Sequence, residues 1–247
     1  DAERDNPNRT RVGRPFGTPY GYKSLGLFRT EDDINGDGVI DAEDGYNVRQ
    51  FGVIRPGDIR YADLSGPDGR PDGVIDSHAL TVIGYPVYPE WTFGLTPSIN
   101  WKGFDLTLFF QGSANSSINV RQFMTVPFEN NGSNTGYEYF NNRWTPQNQS
   151  ARYPRATPSP VSNNTQNSDF WMVNSSYLRL KTLTLGYSLP DKAKQWLRTG
   201  NLRVYLVSNN LLTFSRIKHI DPEMGYDARE TAYPVIKSTT VGVELTF

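Results

Sequence analysis

Between Asp33 and Asp44 the chain reads Asp-Ile-Asn-Gly-Asp-Gly-Val-Ile-Asp-Ala-Glu-Asp. Asp33, Asn35, Asp37, Val39, Asp41 and Asp44 fall at offsets 1, 3, 5, 7, 9 and 12, with Gly38 at offset 6, the ligand spacing of a calcium loop. Several oxygen donors on one tight loop suit a hard cation such as Ca2+, in a structural rather than a chemical role. Asp44 stands where a longer Glu usually closes such a site, and no flanking helices are evident, so a solvated acidic turn is the plain alternative. Asp63, Ser65, Asp68, Asp72 and Asp76 form a looser echo.

A second group is aromatic. Tyr137, Tyr139, Phe140, Trp144, Tyr153 and Trp171 fall in one long segment, where exposed rings could stack on sugars or anchor a partner. The alternative is that they pack that segment onto itself or form an interfacial girdle. For catalysis the residues offer little. The chain has no Cys, which excludes thiol chemistry and Cys-ligated zinc, and its only histidines are His78 and His219. Asp221 and Glu223 are close carboxylates, but beside Pro222 they read as turn residues. No nucleophile motif and no phosphate-cradling glycine loop ahead of a helix is present. The chain reads as a non-enzyme.

The elements that position these groups are strands. Lys and Arg number 25 against 26 Asp and Glu, so nothing in the charge favours nucleic acid as a partner. Hydrophobic residues are only 36%, yet aromatics reach 13%, and mean hydropathy is −0.58. No run of about 18 apolar residues exists for a membrane helix. Transmembrane strands need only about 9–11 alternating residues and leave the average polar.

Alternation with a period of two runs from Trp91 to Trp101, turns at Lys102-Gly103, and resumes with Phe104, Leu106, Leu108 and Phe110 on one face. That predicts a tight hairpin, with Gly supplying a positive φ. Further strands are expected over about Ser176–Leu189, Leu202–Asn210 and Val235–Phe247, with a weaker one near Tyr20–Phe28. Strict alternation would put Tyr177, Arg179 and Lys181 on one face with Leu183, Leu185 and Tyr187. Pro190 ends that strand, and Asp191 to Arg198 could make one or two helical turns. Lys192, Lys194 and Arg198 read as a solvated face.

Short links alternate with long ones covering about residues 30–90, 113–175 and 211–234. Long structureless loops are uncommon in compact domains and usually carry function. Short turns on one side and long loops on the other fit an outer-membrane barrel, whereas a two-layer soluble sandwich has less reason to segregate its loops. If the last strand ends at the periplasm, the long loops are extracellular and Arg179 and Lys181 lie near the outer surface. There a charge costs about 0–1 kcal/mol, against about 2–4 kcal/mol at the midplane. Trp91, Trp101, Tyr187 and Tyr205 suit interfacial belts.

Several stretches resemble the SusC/RagA family of TonB-dependent outer-membrane transporters of Bacteroidetes-type bacteria. They are Gly17 through Tyr20-Gly21-Tyr22 to Gly26-Leu27-Phe28, Pro56-Gly57-Asp58-Ile59-Arg60-Tyr61, and Asp72-Gly73-Val74-Ile75-Asp76 with Val82-Ile83-Gly84. Next come Lys102 to Leu106 and Phe109 to Gly112, Arg143-Trp144-Thr145-Pro146, Tyr153-Pro154-Arg155, and Ser168 to Trp171. Ser176 to Lys181, Leu185-Gly186-Tyr187, Asn209 to Thr213, Asp221-Pro222-Glu223 and the terminal Phe247 complete the series. Residues Pro67 to Pro71 and Ser77 to Leu80 depart from the family pattern.

The resemblance implies an all-β fold: a transmembrane antiparallel β-barrel segment with long extracellular loops, the C-terminal strands of a barrel of 22 strands closed around an N-terminal plug. Residues 1–247 read as the C-terminal part of that barrel, with no recognisable plug. The implied function is TonB-dependent import of glycan, oligosaccharide or peptide nutrients across the bacterial outer membrane. Implied partners are a SusD-like surface lipoprotein, the TonB complex acting through the plug, outer-membrane lipid and the barrel assembly machinery. Val243, Leu245 and Phe247 look like the assembly signal. The rival reading is a secreted β-sandwich module that binds polysaccharide with loop aromatics and a calcium loop.

Overall fold

The computed structural model describes residues 7–120, 135–197, 200–218, 220–223 and 235–246. They divide into two compact units, one built from residues 7–87, 117–120 and 135–173, the other from the remainder.

The second unit is a six-stranded sheet. Its strands are β1 (Trp91–Leu95), β2 (Ser98–Trp101), β3 (Phe104–Ala114), β4 (Tyr177–Ser188), β5 (Asn201–Ser215) and β6 (Ser238–Thr246). The order is β6-β5-β4-β3, with β1 and β2 both lying against β3, and every pairing is antiparallel. The expected single strand from Trp91 to Trp101 is interrupted at Thr96-Pro97, because proline has no N–H to give the ladder; Pro97 contributes only its carbonyl, to the Leu108 N–H. At the other end Lys102 (φ 47°) and Gly103 (φ 89°) make the expected two-residue turn, where both positions need positive φ. Helical turns follow β4 over Asp191–Leu197.

One correction to the expected faces matters. Between Leu180 and Thr182 the register slips on both sides of β4. Leu180 faces Phe110 while Thr182 faces Phe109, and Leu180 faces Leu212 while Thr182 faces Asn209. An extra residue in a strand reverses which face every later side chain takes. On β5 the slip is absorbed at Asn210, which takes a positive φ of 54°. Leu178 and Leu180 therefore share a face with Leu183, Leu185 and Tyr187, aligned with Gly112, Phe110, Leu108, Leu106 and Phe104 of β3. Arg179 lies on the opposite face, not on the apolar one that strict alternation gave it.

The apolar face continues through Leu206–Val241, Val204–Val243 and Leu202–Leu245. It is open: Val241 is 70% exposed, and Trp91, Leu95, Ile99, Trp101, Leu212 and Phe214 are also exposed. What the sheet unit buries is mostly polar: Ser113, Ser116, Ser175, Arg179 and Ser208, with Leu180 its one buried hydrophobic among the described residues. This is the reverse of a soluble sheet, whose apolar face is covered.

The first unit holds the ordinary core. Tyr20–Gly21 pairs with Thr81–Val82, Ser24–Leu27 with Ile59–Tyr61, and Arg143–Trp144 runs parallel to Tyr153–Arg155. Phe28, Ile40 and Ile54 pack together with Tyr46 against them. Ile59, Tyr61, Tyr153 and Trp171 are also buried. The described residues of the segments expected as long loops over about 30–90 and 113–175 are thus largely folded, by short pairings and short helical turns that carry no long periodic signal.

Candidate functional site

The mainly polar face of the sheet carries two charge networks. Near the Lys102-Gly103 turn, Asp105 receives two hydrogen bonds from Arg203, Nε to Oδ1 at 3.0 Å and Nη2 to Oδ2 at 2.6 Å. Glu244 stands 3.6 Å from the same guanidinium. Asp105 and Arg203 sit on β3 and β5, so their contact crosses the backbone of β4 at Gly186. A Cβ there would collide with the Asp105 carboxylate and lie 2.5 Å from Arg203 Nη2. Tyr205 lies against Gly242 on β6, with the Arg203 guanidinium 5.2 Å from its ring centre. Tyr205 therefore belongs to the polar face and not to an interfacial belt. Trp91 and Trp101 are exposed at opposite ends of the apolar face, and Tyr187 meets Phe104 with ring centres 4.5 Å apart.

The second network surrounds Arg179, which is only 3% exposed. Its Nε donates to Thr213 Oγ1 at 2.9 Å and its Nη2 to Asp221 Oδ1 at 2.7 Å. Its Nη1 is 3.3 Å from Glu223 Oε1, and Lys181 Nζ reaches Glu223 Oε2 at 2.7 Å. The close carboxylates are thus charge partners of β4. An open cavity of about 410 Å³ lies where β1, β3, β4 and β5 end, lined in part by Phe93, Ser113, Tyr177, Phe214 and Arg216.

In the loop unit a buried polar clamp joins distant segments. Asp58, fully buried, receives Arg155 Nε at 2.8 Å and Nη2 at 3.2 Å, Asn164 Nδ2 at 2.8 Å and the Arg55 N–H at 2.9 Å. Ile59 N–H donates to Asn164 Oδ1, and the Ile59 carbonyl accepts from Asn163 and Gln50. Tyr61 closes the set through its hydroxyl to the Asn163 carbonyl. None of these partners follows from periodicity; the only advance sign is a charge flanked by structure-breaking Pro56-Gly57.

Four of the six aromatics singled out in the sequence serve this unit's packing, the alternative raised for them, and do not face a ligand. Trp171 (1% exposed), Tyr139 (3%), Tyr153 and Trp144 are buried. Trp171 Nε1 donates to the Asn164 carbonyl, Tyr153 stacks between Tyr139 and Trp171, and Trp144 lies over Gly57. Burial pushes the Tyr139 hydroxyl up to about 12, with Arg143 and Arg155 pulling it down and Asp58 pushing it up. The other two, Tyr137 at 86% and Phe140, are exposed.

The two acidic loops share one geometry. Asp33 accepts the Gly38 N–H and Asp63 the Gly73 N–H, at 2.9 and 2.6 Å, both glycines standing at φ 81°. Asp37 accepts from Val39 and Asp72 from Val74, while Asp41 and Asp76 each cap a single helical turn. Asn35 accepts from Asp37, and Asp44 from Ile34 and Asn35. The Asn35 N–H comes first among the bonds that hold the Asp44 carboxyl below its usual range, against an opposing push from burial. Asp68 stands at an exposed turn and Ser65 is buried. The oxygens of the first loop thus serve as caps for its own backbone, and among the described residues no three Asp, Glu or His side chains converge to hold a metal ion. Val243 and Leu245 lie exposed on the apolar face; Phe247, His219 and Arg198 fall outside the described residues.

No protein-family model matches the chain. It is 29% identical to TonB-dependent receptor P26 of Formosa agariphila across 97% of this chain and 23% of the relative. It is 28% identical to TonB-dependent receptor SusC of Bacteroides thetaiotaomicron across 73% of this chain and 17% of that protein. Among solved structures, the RagAB peptide transporter superposes with a TM-score of 0.64 at 24% identity, over 93% of this chain and 23% of that one. The RagAB peptide importer in its open-open state gives 0.62 at 25% identity, over 92% and 22%. The chain spans less than a quarter of the length of these relatives. Over nearly the whole chain its sequence is thus similar to that of TonB-dependent receptors, and its fold to that of the RagAB structures.

Proposed function

We propose that the chain is the C-terminal barrel-wall segment, with its folded outer loops, of a TonB-dependent importer in the bacterial outer membrane. The observation that carries this reading is the inverted sheet: an open apolar face bounded by Trp91 at one end and Trp101 at the other, backed by a mainly polar face of paired charges. Lipid is the solvent that suits the first face and a water-filled, protein-lined lumen suits the second. A soluble sandwich would lay a second sheet across Val241, Val243 and Leu245, and those side chains are open.

The substrate class we infer is oligosaccharide or peptide. The peptide alternative is supported by the likeness to the RagAB peptide transporter, and the oligosaccharide alternative rests on the family resemblance of the sequence alone. A SusD-like surface lipoprotein and the TonB complex are the proposed partners, the latter acting through a plug, and the barrel assembly machinery would insert the wall. No bond is made or broken in this role. The test is to express the full-length protein, establish that its mass is several times 27.9 kDa, and follow uptake of labelled oligosaccharides and oligopeptides by cells with and without TonB. Uptake of one class that vanishes without TonB is expected. A native product of about this chain's size, released without detergent, would leave the sandwich as the better account.

A further inference from the structure

The Asp221-Pro222-Glu223 turn lies just past the end of β5, yet it does not stand away from the sheet. Both of its carboxylates return over the polar face to β4. Among the described residues three ion pairs attach it there: Arg179 to Asp221, Arg179 to Glu223, and Lys181 to Glu223. The Glu223 N–H closes the turn on itself by donating to Asp221 Oδ1 at 3.0 Å. Of its two cations, Lys181 lies within the register slip between Leu180 and Thr182 and Arg179 just before it, where β4 is held by its two neighbours in shifted alignment. Arg179 is buried with the turn's two carboxylates against it, and a buried cation stripped of such partners is costly, so bound and released arrangements are distinct states.

We propose that this turn is a latched strap: Arg179 and Lys181 hold Asp221 and Glu223 across the inner side of the barrel wall, narrowing the passage, and releasing them widens it. The proposal rests on the barrel reading for its consequence, and on the ion pairs alone for the latch. The wall and the strap are separable, because the ladder of β4 with β3 and β5 does not depend on either carboxylate.

The test uses the full-length protein carrying Asp221→Asn with Glu223→Gln, which keeps side-chain shape and removes both charges. Amide hydrogen exchange of a peptide covering residues 216–223 is expected to speed up about tenfold or more, with β4 and β5 unchanged. Ion conductance of the variant in planar bilayers is expected to rise above that of the unaltered protein. Exchange within twofold of the unaltered protein overturns the latch. Faster exchange with unchanged conductance overturns the claim that the strap narrows the passage. If the double variant does not assemble, Lys181→Met removes only the outer pair; it is expected to give a smaller rise in exchange, and no rise overturns the latch. Failure of the unaltered protein to insert in bilayers counts against the barrel reading, while the exchange result still decides the latch.

Discussion

Asp58 and Arg155, 97 residues apart in the chain, meet as a bidentate ion pair in which the carboxylate is fully buried and the guanidinium about three-quarters buried. The pair joins the two segments that build the loop unit, so an electrostatic bond holds together what the sequence pattern leaves as separate loops. Loss of the cation strands a charge in the interior, and loss of the carboxylate leaves Asn164 Nδ2 and the Arg55 N–H without their acceptor. Arg155→Ala is therefore expected to destabilise the loop unit by about 3–5 kcal/mol, the range for breaking a buried pair. Asp58→Ala should cost a comparable amount, and the double variant less than the sum. Limited proteolysis of the full-length protein in detergent, read within residues 30–90 and 137–171, checks these losses. Additive losses in the double variant would mean that the pair is effectively solvated.

The Asp105–Arg203 pair depends on Gly186, which lets the contact cross β4. Gly186→Ala puts a methyl group against both partners. The expected result is a loss of the pair without loss of the strand, since alanine is tolerated in the ladder. The measurable consequence is a lower detergent-melting temperature, comparable to that of Arg203→Ala, with little further effect when the two changes are combined. Additive effects would show that Gly186 acts independently of the pair.

The strands and the tight turn at Lys102-Gly103 were legible because alternation and a single Lys-Gly step specify them locally. The face assignment of Arg179 was not. It depends on one extra residue between Leu180 and Thr182, and an insertion that reverses parity leaves no mark in composition. The aromatic set was visible as residues, with packing of the segment onto itself as one of two readings; which rings would meet, Tyr139 on Tyr153 and Tyr153 on Trp171, was not. Calcium-like offsets were readable in Asp33 to Asp44. That each carboxylate would cap a backbone N–H two to ten residues away was not.

The two faces of β4 make opposite forecasts for neighbouring residues. Leu185 lies on the exposed apolar face and Thr184 on the polar one. Leu185→Arg is expected to cost about 2–4 kcal/mol if it sits near the bilayer midplane, less toward the interface. Thr184→Arg should be tolerated in an aqueous lumen. Surface level and heat-resistant migration of the full-length protein separate the two. Equal tolerance of both substitutions would remove the lipid assignment of the apolar face.

Alkaline sensitivity should localise to the loop unit. The Tyr139 hydroxyl donates to the carbonyls of Pro154 and Arg155 at 3.0 and 3.2 Å, and burial is the main reason its pKa is pushed up to about 12. The folded value lies above the unfolded one near 10, so its stabilising contribution is complete below about pH 10 and is lost as pH rises toward 12. A shift of this size corresponds to about 3 kcal/mol. Tyr46, in the same unit, is pushed up to about 12 chiefly by burial and adds to the effect. Proteolysis across residues 137–155 is therefore expected to rise steeply between pH 10 and 12 in the unaltered protein. Tyr139→Phe gives up the hydrogen bonds and is less stable at neutral pH, but it has no phenol to ionise there, so its alkaline rise should be shallower. An identical alkaline profile in the two proteins would mean that ionisation elsewhere opens the loops.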